Sequence, residues 1–246
     1  MRSTQFLLFF LASGLALAGS GCSQAPPPPS PSPDVPLVDV IAAAIADPGR
    51  EAQKAADARR RPLPLMILAG AKPGDHVLDL IPGNGYWTRI FSKIVGPDGK
   101  VHAVWPHAYA RFAAGNVEAL KALSGSAPYA NIKTLVQPST ILGAPERLDV
   151  VWTSQNYHDY PAEFMGKTDP ASLNRAVFDM LKPGGTYVIV DHRAAAGRGM
   201  ADVERLHRID PSIVRRQVEA AGFVFAGESE VLANRADPLD IPVFDP

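Results

Sequence analysis

A chain of 246 residues, 46% hydrophobic and 20% charged, is long enough for one full domain with a sizeable core and excludes wholesale disorder. Its 24 basic and 25 acidic side chains cancel to −1, which leaves no electrostatic footprint for duplex nucleic acid and sets that partner class aside. A single cysteine, Cys22, excludes an intrachain disulfide.

Met1-Arg2 is a short positive start, Phe6 to Ala18 an apolar run of 13 residues, and Gly19-Ser20-Gly21 a small-residue stretch ending at Cys22. That order reads as an export signal over residues 1–21. The run is too short for a bilayer span, which takes about 20 apolar residues. A lone cysteine directly after such a stretch resembles the lipobox of bacterial lipoproteins, where that cysteine is acylated. Gly19 stands where the pattern usually has Leu, and Ala16-Leu17-Ala18 also suits an ordinary signal peptidase. Two fates are therefore expected: a lipoprotein anchored to the membrane through a lipid on Cys22, or a soluble periplasmic protein. Residues 25–36 carry seven prolines in twelve positions, an extended polyproline spacer. Residues 22–36 thus read as a tether, and residues 37–246 as the folded domain.

Within that domain Leu37 to Ala46 and Glu51 to Arg60 read as helices, with Arg59-Arg60-Arg61 as a solvated helix end. Strand-type and helix-type segments then alternate. Strands are predicted at His76 to Ile81, Val101 to Trp105, Ile132 to Val136, Leu148 to Thr153, Thr186 to Asp191 and Phe223 to Leu232. Tyr86, Trp87, Ile90, Phe91, Ile94 and Val95 make one apolar helical face, and further helices are predicted at Tyr109 to Leu123 and Ala171 to Leu181. Asp210-Pro211, a capping residue followed by proline, opens a last helix that stops at Gly222. Such alternation implies an α/β fold, a mostly parallel sheet with helices on both faces, whose ligands sit at the carboxyl ends of the strands.

After the first domain strand comes Asp79-Leu80-Ile81-Pro82-Gly83-Asn84-Gly85, running straight into a helix. Glycines two apart let the backbone turn and approach a ligand closely, and the amides of a helix start favour an anionic group. A nicotinamide fingerprint would need a third glycine where Thr88 stands and an acid at the end of the next strand, where Trp105-Pro106 stands, so an oxidoreductase reading has little support. No phosphate-binding Gly-Lys-Ser/Thr occurs, since Val101 follows Gly99-Lys100.

Val77-Leu78-Asp79 to Gly85, together with Leu181-Lys182-Pro183-Gly184-Gly185 before an apolar strand, resembles the first motif and the fifth-strand approach of class I S-adenosylmethionine-dependent methyltransferases. Asn156-Tyr157-His158-Asp159 and His207-Arg208-Ile209-Asp210-Pro211 are similar to a bacterial exported subgroup of them, over roughly residues 48–246. The resemblance implies a Rossmann-like fold with S-adenosylmethionine over Gly83-Asn84-Gly85, Asp79 ordering the loop, and Ile81, Trp105 and Asn156 also at the cofactor. Trp105 would stack on adenine. It also implies a substrate cleft in which Asn156, Tyr157, His158 and Asp159 face Asp191, His192 and Arg193. His158 is the first choice of base and His192 the second, with Asp159 beside them. No close ligand spacing supports a metal, so none is expected.

The chain departs from that family at Ile81, where a glycine is usual, at Trp105, where an acid usually holds the ribose, and at Gln137-Pro138-Ser139-Thr140, which lacks an acid for the adenine amino group. The family's last antiparallel strand has no ordinary counterpart either. Only Ile241-Pro242-Val243-Phe244 follows the sixth strand, and its proline argues against an interior strand, so either that strand is missing or the sequence stops short of it. Two readings stand: a methyltransferase acting on a small-molecule or envelope substrate, and a non-catalytic methyltransferase-fold lipoprotein that binds a ligand or protein partner in the envelope. Oligomeric state and the supply of cofactor outside the cytoplasm are beyond the sequence.

Overall fold

The computed structural model describes residues 5–11, by their backbone, and residues 36–140, 144 and 146–244. Cys22, the cleavage region and residues 22–35 of the tether lie outside the described residues. In chain order the strands are β1 (Gln5–Leu11), β2 (His76–Leu80), β3 (Lys100–Pro106), β4 (Ile132–Gln137), β5 (Leu148–Ser154), β6 (Leu181–His192) and β7 (Val224–Ser229). The helices are α1 (Leu37–Ala46), α2 (Asp57–Arg60), α3 (Pro62–Ala69), α4 (Tyr86–Val95), α5 (His107–Ala110), α6 (Ala114–Ser124), α7 (Pro170–Met180), α8 (Val203–Leu206) and α9 (Pro211–Ala220).

The strands form one sheet in the order β4-β3-β2-β5-β6-β1-β7. From β4 to β6 neighbours run parallel, and the order reverses between β2 and β5, which opens a crevice at their carboxyl ends. The central strands read as continuous apolar runs because both faces are covered: Val77, Leu78, Val101, Val104, Val151, Trp152, Val188, Ile189 and Val190 are all essentially inaccessible to solvent. Trp152 is the hinge of the aromatic packing on one face, with its ring 4.9 Å from that of Trp87 and 5.5 Å from that of Phe91. Helix starts follow local chemistry. Asp169 and Asp210 cap α7 and α9 by accepting the amides of Ala171 (3.1 Å) and Ser212 (2.9 Å), each with proline at the first helical position.

Lys182-Pro183-Gly184-Gly185 has a steric reason. Gly184 sits at φ +81°, and a Cβ on Gly185 would lie 3.0 and 3.1 Å from the carbonyl oxygens of Lys182 and Asp149, so only glycine lets β6 close on β5 there.

Three expectations are corrected. The helix expected over 51–60 is a 3-10 segment, Pro48–Ala56, followed by α2; Arg50 is drawn fully inside, where it bonds the Ile45 carbonyl and Asp57. The helix expected over 109–123 breaks into α5 and α6, because Tyr109 and Phe112 turn toward Phe164 (6.1 and 6.0 Å between rings) while Val117 and Leu120 enter the core. The antiparallel strand is present rather than missing. It is β1, paired antiparallel with β6 (Gln5 opposite His192 through Leu11 opposite Thr186) and with β7. The sheet therefore includes part of the run that reads as an export signal and is not confined to residues 37–246. Ile241 to Phe244 form no strand. Instead the Val243 amide bonds the Leu206 carbonyl (3.1 Å), and Val243 is buried.

Arg208 pins that C-terminal segment. Wholly buried, it forms a two-pronged ion pair with Asp237 (2.7 and 2.8 Å) and donates to the carbonyls of Ile241 (2.9 Å) and Arg193 (3.1 Å). Removing one partner of a buried pair strands the other charge, so Asp237→Ala should lower the unfolding free energy by about 3–5 kcal/mol. Urea unfolding measures this, and an unchanged midpoint would show the pair to be dispensable.

Candidate functional site

The β2 end and the start of α4 build one wall of the crevice. Ile81 takes a left-handed conformation (φ +52°), which is rare for a β-branched residue. It is held there by its own amide on the Val104 carbonyl (2.8 Å) and by Asn156 Nδ2 on its carbonyl (3.2 Å). Backbone strain of this kind costs about 1–3 kcal/mol and persists only where the surroundings over-determine it. Gly83 (φ +57°) has no atom within 4 Å of where a Cβ would lie, so its backbone is open to a ligand. Gly85 (φ +76°) is different: a Cβ there would meet Leu120 at 2.3 Å and Arg89 at 2.9 Å, which makes it a packing glycine beneath the loop. Asp79 is buried behind both and accepts a hydrogen bond from the Thr88 hydroxyl (2.6 Å). Burial pushes its carboxyl up to about 7, although the Thr88 bonds and nearby Arg60 favour the ionised form.

The opposite wall comes from the ends of β5 and β6. Asp191, fully buried, accepts the amides of His158 (2.7 Å) and His192 (2.8 Å) and bonds the His158 Nδ1 (2.6 Å). That leaves His158 Nε2 3.1 Å from an Asp159 oxygen, which His207 Nδ1 approaches to 3.4 Å. Burial opposes charge on His158, but the carboxylates of Asp191 and Asp159 outweigh it and push its pKa up to about 10. His192 goes the other way: burial lowers it to about 4, against the pull of Asp191. Its Nδ1 is buried without a partner. The two rings are thus driven apart, His158 toward the imidazolium and His192 toward the neutral form. The shifts run against the order of bases expected from the sequence, since it is His192 rather than His158 that is pushed toward the proton-accepting form.

A cavity of about 490 Å³ lies between the walls, a volume typical of small-molecule sites. Of the residues predicted for the site, Asp79, Ile81, Gly83, Asn84, Asn156, His158, Asp159 and His192 line it together. Gly85 and Trp105 do not. Trp105 is fully buried in the core, so it offers no free face to an adenine ring, and that expectation is corrected. The sequence also missed several lining residues. Arg60, read as part of a solvated helix end, lies over the rings of Tyr86 (4.5 Å) and Trp87 (5.8 Å) and lines the cavity, as Arg59 does. Tyr109, Asn116 and Phe244 line it too. No local pattern marks them, because each arrives from a different segment.

Parallel strands in this order, a crevice at the switch point and a glycine loop running into α4 define the class I methyltransferase fold. No protein-family model and no curated protein matches the sequence. Solved structures do match. The chain is similar to a SAM-dependent methyltransferase from Aquifex aeolicus at 19% identity, over 77% of this chain and 89% of that one, with a TM-score of 0.52. An arsenic(III) S-adenosylmethionine methyltransferase from Chlamydomonas reinhardtii is similar at 18% identity over 80% of this chain and 62% of its own (TM-score 0.48). Fibrillarin from Aeropyrum pernix, solved with bound S-adenosyl-L-methionine, is similar at 17% identity over 65% and 64% of the two chains (TM-score 0.43). The likeness is one of fold.

Asp79 gives the site a pH signature. The folded state holds a proton up to about 7 that an unfolded aspartate releases near 3.8, so this group's contribution to stability is complete below that lower value and is lost as pH rises through the interval. Asp79→Asn keeps the neutral shape and removes the effect. Across that interval the wild type should lose stability relative to the variant in parallel urea titrations; a constant difference would mean that Asp79 stays ionised.

Proposed function

We propose that this protein is a methyltransferase that uses S-adenosylmethionine and methylates a small-molecule or envelope substrate. The observation that carries the reading is the cavity at the switch point, which puts the Asp79 and Gly83 wall opposite the His158 and His192 wall. The residues fit the cofactor. Gly83 leaves room for close approach, Arg60 offers a cation to a carboxylate, and Asp79 offers an acid to an ammonium, which together suit the amino-acid end. When bound, the cofactor supplies an electrophilic methyl group on a sulfonium.

The chain's own task is alignment and proton handling. Asp191 fixes the His158 ring and both backbone amides of the opposite wall, so the acceptor meets a rigid surface. His192, whose side chain lines the cavity and is pushed toward the neutral form, takes the acceptor's proton. Tyr109 and Asn116 offer an aromatic face and an amide in place of the acids that the chain lacks after β3 and β4. For location we propose export, with Cys22 lipid-anchored. The order of charge, apolar run and small residues before that cysteine supports it, and among the described residues no helix is long and apolar enough to cross a membrane. The non-catalytic alternative draws support from the buried Trp105 and the strained Ile81.

Calorimetric titration of the full chain with S-adenosylmethionine and S-adenosylhomocysteine tests the reading. Micromolar binding is expected. Gly83→Val should abolish it, and Arg60→Ala should weaken it by about ten- to a hundredfold, the value of a charge-assisted bond. Absence of heat from a folded chain at millimolar ligand would leave the binding scaffold as the function. In turnover assays with an acceptor found by screening, His192→Ala should lower kcat while leaving cofactor affinity unchanged. Unaltered kcat would take His192 out of the chemistry.

A further inference from the structure

We propose that His158, Asp159 and His207 form a site for one divalent transition-metal ion at the acceptor end of the cavity. His158 Nε2, an Asp159 oxygen and His207 Nδ1 all lie within 4.8 Å of one another, with the oxygen 3.1 Å from the first nitrogen and 3.4 Å from the second. Ligands at about 2.0–2.2 Å from a shared ion, at tetrahedral or octahedral angles, stand roughly 3–3.5 Å apart. Two of the three separations thus already match a coordination sphere before any ion enters.

The surroundings are those of a metal site. Asp191 bonds the His158 Nδ1 at 2.6 Å, fixing the ring and leaving Nε2 as the coordinating atom, the carboxylate–histidine–metal arrangement that orients such ligands. The His207 ring stands edge-on to that of His158 (centroids 5.5 Å apart) and 5.0 Å from that of Phe244. Its backbone is left-handed (φ +53°) where α8 ends. Beside the cluster, His192 brings a buried ring nitrogen with no partner. An entering ion replaces the Nε2 proton of His158, which leaves to solvent, and takes that proton's place beside the Asp159 carboxylate. Two imidazoles and one carboxylate select zinc, iron(II), cobalt(II) or manganese(II) over magnesium or calcium, which want oxygen ligands.

His158 and Asp159 line the cavity, so positions on the ion left free by the protein are available to an oxygen or sulfur atom of the acceptor. That role rests on the proposed methyltransferase function; binding of the ion does not. The test is calorimetric titration of the chelator-treated full chain with zinc, and optical titration with cobalt(II). One equivalent should bind, with the cobalt spectrum of a mixed nitrogen and oxygen site. His207→Ala, at a half-buried position that need not disturb folding, should abolish it, and Asp191→Asn should weaken it by about 10- to 100-fold. Gly83→Val should leave zinc binding intact even where it abolishes cofactor binding, which separates the two proposals. Failure of the folded chain to bind either ion, or equal binding by His207→Ala, would overturn the site.

Discussion

The Asp191 carboxylate is the point on which the functional end of this molecule depends. It sits at the end of β6 with no solvent exposure and satisfies two backbone amides and a histidine ring at once. Bonds to a charged acceptor are worth about 1.5–3 kcal/mol each, and losing the acceptor would leave buried donors unpaired. Because those amides belong to His158 and His192, one side chain joins the loop after β5 to the end of β6 and sets both histidines at fixed depth. The same carboxylate pulls both rings toward the charged form, but with unequal reach. His158 takes a direct bond and is pushed up, whereas His192, bonded only through its amide, is pushed down by burial. Environments that drive like groups apart are how a site assigns acid and base roles.

The facing wall is organised by a complementary device. Asp79 is held inside by Thr88 at the first turn of α4, so the acid and the helix start form one unit, and the loop between them is forced into left-handed turns at Ile81, Gly83 and Gly85. Two of the three carry no Cβ penalty. The third, Ile81, is over-determined by Val104 and by Asn156, and Asn156 belongs to the opposite wall. Strain in the glycine loop and placement of the histidine wall are therefore coupled through one amide hydrogen bond, and neither wall is set independently of the other.

Most of the fold was legible in the sequence because its signals are local. Continuous apolar runs gave β2 to β6, Asp-Pro pairs gave the starts of α7 and α9, and the glycine spacing located the ligand loop. Eight of the predicted site residues meet in one cavity because strand ends in a parallel sheet must converge at the switch point. Illegible were contacts made across segments. Arg60 reads as a solvated helix end until Tyr86 and Trp87 are seen beneath it. The ligand set proposed for the metal spans residues 158 to 207, a separation at which no spacing rule operates. Trp105 misled for the converse reason: a strand-end aromatic has the same local appearance whether it faces a ligand or the core. The pKa reversal between His158 and His192 was likewise invisible, since it arises from burial and from which nitrogen Asp191 reaches.

The placement of β1 follows from an ambiguity in apolar runs themselves. A strand in the interior of a sheet covered on both faces needs an unbroken hydrophobic stretch, and so does the core of an export signal. Residues 5–11 meet both specifications, and nothing in their composition distinguishes them. The two uses exclude each other in any one molecule. When β1 is hydrogen-bonded to β6 and β7, its backbone groups are consumed; were the segment removed before Cys22, as the proposed export would require, the facing edges of β6 and β7 would lose their partner. Unpaired edges of that kind are templates for pairing with another strand. Completion of the sheet by residues 5–11 and the proposed use of the same run as an export signal therefore compete for the same atoms.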